Sequence, residues 1–395
     1  MRFWPRRRRP VVAPLPSEDL LVTEARLRLA AEDVLAVHDR QIRGPVVVFR
    51  GELRVAHERA IDVLLERFAP LGYMPILRAD GDGRADGARV VVQAWPAGAA
   101  SERPRQTKAL VLFLLTVVST FLAGYYFTGS ETFDRYRALQ FPGWLVTGTP
   151  FAATLLAILG VHELGHYVTA RRYRASVSLP YFIPLPPIYV PFLAVVIPTF
   201  GTLGAVIRMR SLARDRNALF DIAAAGPLAG LLVAVPALVL GLAWSHVVPM
   251  TGDHGFGGFG HSLFTRLFVY LRFGPTEGLG VMTHPMADAA WVGCFVTALN
   301  LFPVGQLDGG RIAYALSGPL HRRLSIVAWV GMLVMGVLTR SGNWFMWAAL
   351  LFFLVGFDHS PTLDDLTPLT PARRLLGVVC LVLLVLLVPP IPIPL

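Results

Sequence analysis

The sequence predicts a polytopic α-helical membrane protein of about six to eight spans. A re-entrant or β-strand segment interrupts the spans, and a small α+β domain precedes them on the cytoplasmic side. Three observations carry this expectation. The chain of 395 residues is 54% hydrophobic and only 16% charged, whereas ordinary globular domains are roughly 25% charged. Several apolar runs reach the ~18–20 residues that cross a bilayer. Residues 17–100 alone keep the alternating and helical patterns of a water-soluble fold.

Taken in order, residues 1–16 read as a basic disordered tail. Its run Arg6–Arg9 either touches anionic lipid or is simply solvated. In the domain spanning 17–100, "PVVVFRGELRV" alternates like a strand. "AHERAIDVLLERFAPLG" sets Ile61, Leu64, Leu65 and Phe68 on one side of a helix. "YMPILRAD" and "ARVVVQAW" read as two further strands around the turn "GDGRADG". That turn lacks the spacing and the closing glutamate of a calcium loop. Residues 101–108 are a linker.

A core at 109–360 follows, and 361–395 hold a loop and a final span. The spans are placed at 109–127, 145–169, 218–246, 288–303, 324–339, 342–357 and 374–389. Between the second and third, six prolines lie from Pro180 to Pro198. Each interior proline costs a helix ~3 kcal/mol, so this apolar stretch is read as re-entrant or interfacial, ending in a strand near "TLGAVIRM". Non-helical backbone at membrane depth needs protein or a watery cavity around it. Residues 247–287 are Gly-rich and polar, with an amphipathic piece at "SLFTRLFVYLRF".

The net charge of +10 is mostly arginine. Arginine clusters at alternate span ends mark cytoplasmic loops, so the charge does not require nucleic acid. The same placement puts the N-terminal domain and the "RRYR" end of the second span in the cytoplasm. Cys294 and Cys380 lie in apolar segments and support neither a disulfide framework nor a cysteine metal site. No continuous apolar core follows the basic N-terminus, so a cleaved secretory signal is not expected.

The chemistry sits inside the second span, in "HELGH". His162 and His166 are four residues apart and share a helix face, so both imidazoles can meet one ion. Glu163 lies about 100° round the helix, within reach of a metal-bound water without being a ligand. Ionisable groups in a span cost ~2.5–3.5 kcal/mol even on the lenient insertion scale, and a metal is the simplest compensating partner. Two readings of Asp308, in "NLFPVGQLDGGRI", stand: a third ligand suited to zinc, or the N-cap of a helix starting near Gly310. Asn300 likewise reads as a donor to a developing oxyanion or as a helix–helix hydrogen bond.

"HELGH" in an apolar helix, "AAAGPLAG" at the next span's entrance and "LNLFPVGQLDGGRI" downstream, in this order, resemble the site-2 protease family of intramembrane zinc metalloproteases. The likeness covers about 109–360. "GTLGAVIRMRS" and "ALNLFPVGQLDGG" are most similar to the branch of EGY-type proteins and bacterial relatives. The resemblance implies one Zn²⁺ held by His162, His166 and Asp308, with Glu163 as general base and Asn300 as an auxiliary site residue. It implies cleavage of peptide bonds within or beside the transmembrane segments of membrane-protein substrates. This chain has Arg311 where that branch often has histidine, and no stretch between the motifs is long enough for a PDZ domain.

Two other functions compete: a scaffold or chaperone of the same fold with structural zinc, and a metal transporter. An intact Glu163 argues against the first, and the scarcity of polar residues along the other spans against the second. The neighbours Asp358, His359 and Ser360 are read as a loop turn, because a triad needs side chains that meet in space. His254, His261 and His284 are read as solvated loop histidines, and the "AAAGPLAG" glycines as close helix packing. A bacterial inner membrane is the expected setting, with an organellar membrane as the alternative.

Overall fold

The computed structural model describes residues 18–80, 89–97, 106–127, 143–190, 195–197, 199–207, 209, 211–249, 260–275 and 279–392. The basic tail, the acidic turn at 81–87, most of the linker, Arg135, Arg137 and His254 lie outside these residues, as does Pro191–Ala194 of the proline-rich stretch. The chain divides into two compact units.

The first unit comprises residues 1–102 together with 361–368. It contains α1 (Glu18–Ala31), β1 (Leu35–Arg43), β2 (Val46–Leu53), α2 (His57–Phe68), β3 (Tyr73–Ala79) and β4 (Arg89–Pro96). The strands form an antiparallel sheet in the order β1-β2-β4-β3. Ile61, Leu64 and Phe68 of α2 are buried, with Leu27, Phe49 and Val92 in the same unit. The sequence reading omits α1 and β1, and both omissions have a cause. The inward stripe of α1 is broken by Glu24, buried and held by Arg40 of β1 at 2.8 Å. β1 is an edge strand too polar to alternate.

Residues 361–368, expected to be a plain loop, instead bond to β3. Leu77 N–H donates to Leu363 O at 2.8 Å, and Asp365 N–H donates to Leu77 O at 3.0 Å. The Asp364 carboxylate accepts from the backbone N–H of Leu366 at 2.8 Å and contacts His57 Nδ1 at 2.9 Å. A short segment bonded to β3 satisfies backbone groups that an open edge would expose.

The second unit is mainly helical: α3 (Gln106–Phe127), α4 (Gly143–Arg172), α5 (Arg216–Ala243), α6 (Leu263–Phe273), α7 (Pro285–Asn300), α8 (Asp308–Leu316), α9 (His321–Thr339), α10 (Gly342–Leu354) and α11 (Pro371–Leu387). Among the described residues, four helical stretches are long and apolar enough to cross a membrane: Gln106–Tyr126, Leu145–Arg172, Arg216–Ala243 and Gly318–Thr339. α7, α10 and α11, at 16, 13 and 17 residues, are shorter.

Small residues set the packing. Gly165 of α4 faces Ala225 and Ala229 of α5, and Gly241 of α5 lies on Ala287 of α7. Such residues let apolar helices approach closely where lipid offers no competing hydrophobic force. The end of α4 is tied to α5 and α11 by charge. Arg373 donates to both oxygens of Asp221 at 2.7 and 2.6 Å, and the Tyr173 hydroxyl donates to the same carboxylate at 2.5 Å.

The proline-rich stretch forms two nested hairpins. β5 (Tyr181–Leu185) pairs with β8 (Gly201–Val206), and inside them β6 (Ile188–Val190) pairs with β7 (Val195–Ile197). Pro184 sits at an irregularity in the outer pair, where the lost N–H is tolerated. The expected strand is therefore present as β8, flanked by strands that the prolines hid. The outer hairpin rests on α3, where Ser119 Oγ donates to Gly201 O at 2.6 Å. The polar stretch after α5 also holds more order than read, since β9 (His246–Pro249) pairs with β10 (Leu279–Met282). Between them α6 begins at a reciprocal Ser262–Thr265 capping box.

Candidate metal centre

α4 carries His162 and His166 one turn apart, and α8 brings Asp308 to meet them. His166 Nε2 lies 3.1 Å from His162 Nε2 and 3.1 Å from Asp308 Oδ2; His162 Nε2 lies 3.4 Å from that oxygen. All three residues are nearly sealed from solvent, at 3%, 7% and 8% exposure. The His166 Nδ1–H donates to the Ile222 carbonyl oxygen at 2.6 Å. This bond fixes the tautomer and leaves the Nε2 lone pair aimed at the other two ligand atoms. Three electron-rich atoms thus converge in a buried space, a grouping that could hold a metal ion.

The separations are compatible with zinc. Ligands ~2.0–2.1 Å from a tetrahedral ion lie ~3.3 Å from each other, which the 3.1–3.4 Å triangle matches. Two imidazoles and one carboxylate are a donor set that suits zinc and leaves a fourth position open. Among the described residues this is the one His/Cys/Asp/Glu group with metal-holding geometry.

Asp308 is not an N-cap. Leu307 occupies that position, and Asp308 is the first helical residue with its carboxylate turned to the imidazoles. Its placement depends on the chain folding back sharply after α7. A Cβ on Gly309 would collide with the Leu301 carbonyl, and one on Gly310 with the Gly305 carbonyl. The double glycine is what lets α8 start against that loop.

Glu163 is 5% exposed and lines the same cavity, of about 120 Å³. Its carboxylate has no hydrogen-bonding or ion-pair partner among the described residues. Asn300, at the C-terminal end of α7, reaches the cavity wall with Nδ2 3.5 Å from His162 Nε2. That separation is too long to hold the imidazole firmly and leaves the amide facing the cavity.

The "AAAGPLAG" glycines pack closely as expected, but against the site itself. A Cβ on Gly226 would fall on the His166 ring, and Gly230 lies beside the His162 ring. Sequence reasoning missed this, along with the Ile222 carbonyl and the place of Arg311 on the cavity wall, where Ala205 and Val206 of the expected strand "TLGAVIRM" also stand. The order of motifs was the available signal for the glycines; a backbone carbonyl carries none. Asp358, His359 and Ser360 form no triad. Asp358 pairs with Arg322 at 3.2 Å, His359 stacks on Tyr314, and Ser360 accepts from Gln306. His261 is exposed, and His284 caps α7 by accepting from Met286 N–H.

A buried two-histidine, one-carboxylate centre among membrane-length helices, with a free glutamate beside it, defines a zinc-metallopeptidase type of site in a membrane protein. Residues 150–338 match the description "Peptidase family M50". The chain is 32% identical over 271 residues to "Probable zinc metalloprotease EGY2, chloroplastic" of Oryza sativa subsp. indica, covering 67% of this chain and 45% of that protein. It is 28% identical over 305 residues to "Probable zinc metalloprotease EGY1, chloroplastic" of Arabidopsis thaliana, covering 72% and 53%. The chain belongs to peptidase family M50, the site-2 protease family, as an EGY-like member. It spans about half the length of the curated relatives it matches. No solved structure matches it.

Proposed function

We propose that the chain is a zinc endopeptidase that cuts peptide bonds within or beside the transmembrane segments of other membrane proteins. One Zn²⁺ would be held by His162, His166 and Asp308. The observation that carries this reading is the convergence of three acceptor atoms at 3.1–3.4 Å next to a buried, unpartnered Glu163. A buried carboxylate without a hydrogen bond or ion pair is costly, so a purely structural site gains nothing from keeping it.

Bound zinc supplies Lewis acidity toward the scissile carbonyl and lowers the pKa of water toward ~7. Glu163 takes a proton from the attacking water and returns it to the departing amine nitrogen. Asn300 donates its amide N–H to the oxygen on which negative charge develops. The Ile222 carbonyl holds the His166 ring in register through the reaction.

A helical substrate hides its carbonyls and must be extended to be cut. Among the described residues β8 pairs with β5 alone, and its residues line the cavity. The free side supports docking of the substrate by strand addition. Successive N–H groups along a strand point to opposite sides, so Ala205→Pro and Val206→Pro between them remove one from each edge of β8. The variant that loses the outward N–H is expected to lose cleavage while keeping its zinc, measured by metal analysis of the purified protein. Full activity in both variants would discard the docking strand.

The reading of seven spans requires α7, α10 and α11 to cross the membrane along with the four longer helices. Arginine placement supports a cytoplasmic position for the N-terminal unit and the centre. The relatives' names place those proteins in chloroplasts, so an organellar membrane stands beside a bacterial inner membrane as the setting. The test of the function is fragment mapping. Membranes carrying the wild-type chain are expected to yield protein fragments ending inside or next to spans. Those fragments should vanish on chelation and in Glu163→Gln; their absence from wild-type membranes would overturn the reading.

A further inference from the structure

We propose that Arg311 is a specificity-determining residue that selects substrates presenting a carboxylate close to the bond to be cut. This rests on the endopeptidase reading above and names the substrate chemistry of the same cavity. Arg311 is half-buried, and it lines the cavity with Glu163, Asp308 and Asn300. It lies three residues after Asp308 on α8, so the two share a helix face. Its guanidinium has no hydrogen-bonding or ion-pair partner among the described residues.

That absence is informative because two carboxylates are close at hand. Asp308 directs Oδ2 at both imidazoles, at 3.1 and 3.4 Å. Glu163 lines the same cavity and feels the Arg311 charge, but no ion pair joins the two. A partly desolvated guanidinium with a planar fork of donors is suited to bidentate capture of a carboxylate. Ala205 and Val206 of β8 line the same cavity. A strand laid along β8 presents alternate side chains to the cavity, and one of these positions meets Arg311. An acid at the centre of a span is expensive. The preferred cut therefore lies near the end of a span, where an acidic residue is tolerated. The same carboxylate chemistry is offered by a substrate's own C-terminus.

The fragment ends mapped as above provide the test, with Arg311→Glu, Arg311→Met and Arg311→Lys compared against wild type. Wild-type cuts are expected to be enriched in Asp or Glu at one fixed position from the cleaved bond, on the order of tenfold or more. Arg311→Lys keeps the enrichment, Arg311→Met loses it, and Arg311→Glu exchanges it for Lys or Arg. A constant short distance to a free C-terminus, in place of the Asp/Glu enrichment, assigns the carboxylate to the chain end. A second readout uses Glu163→Gln, which is expected to bind without cutting. An uncut span peptide with Asp at the mapped position should bind it more tightly than the Asn version, and this difference should vanish when Arg311→Met is added. Cuts with no positional acid enrichment, or acid enrichment that persists in Arg311→Met and Arg311→Glu, would overturn the role of Arg311 and leave the peptidase reading standing. No cuts at all in wild type would remove the peptidase reading itself.

Discussion

Glu163→Gln is expected to lower cleavage of a membrane-segment substrate by about 10²–10⁴-fold, the contribution of a positioned general base, while zinc content stays unchanged. The glutamine keeps the shape and removes only the proton-accepting charge. It should not disturb the metal, because the three converging ligand atoms belong to His162, His166 and Asp308. It should not disturb the fold either. The Glu163 carboxylate is 5% exposed with no partner among the described residues, so no hydrogen bond is lost, and a neutral amide is less costly to bury than a charge. Single-turnover cleavage and metal analysis on the same preparation check both halves. A scaffold of this fold predicts full function in Glu163→Gln. A transporter predicts zinc flux into vesicles that the substitution leaves intact. Either result would displace the peptidase reading.

Gly226→Ala is expected to abolish zinc binding and cleavage together, against the sign of helix propensity. Alanine in a helix interior is favoured over glycine by about 1 kcal/mol, so α5 alone would be stabilised. In the folded chain the new Cβ falls on the His166 imidazole, and that ring is held on its far side by the Ile222 carbonyl at 2.6 Å. The ring cannot move without losing this bond and its place in the ligand triangle. Second-layer partners of metal-bound histidines are typically worth 10–100-fold in affinity or activity, and displacing the ligand itself should exceed that. Gly160→Ala is the control. It lies on α4, the helix that carries both histidines, and a Cβ there meets nothing within 4 Å. It should leave zinc content and cleavage intact. Equal loss in both variants would point to general intolerance of α4 and α5 rather than to crowding of His166.

Much of the helical frame was legible because its signals are local. α3, α4, α5, α7, α9, α10 and α11 begin within about three residues of the places where apolar runs start, the usual uncertainty of element boundaries. The proline-rich stretch was correctly denied a helix, since proline removes an N–H and clashes with the preceding turn. Of its nested strands only β8 was foreseen, because their pairing joins residues such as Tyr181 and Val206 across a long return. Glu24 on the inward stripe of α1 concealed that helix, since its burial makes sense only beside Arg40. Residues 361–368 had no local mark of belonging with β3, because the bonds that recruit them are backbone to backbone.

The sequence by itself determined that two imidazoles share a face, because the helix repeat alone sets the direction of residues four apart. It also determined that Glu163 stands beside them without joining them. Only the tertiary structure decided that Asp308, 142 residues from His166, completes the triangle. It also decided that the Ile222 carbonyl orients the His166 ring, that Gly226 and Gly230 leave room for the rings, and that Arg311 looks into the cavity. The reason is physical. Side-chain direction along one helix is a local property, whereas a carbonyl acceptor or an absent Cβ acquires meaning only from what another helix brings against it.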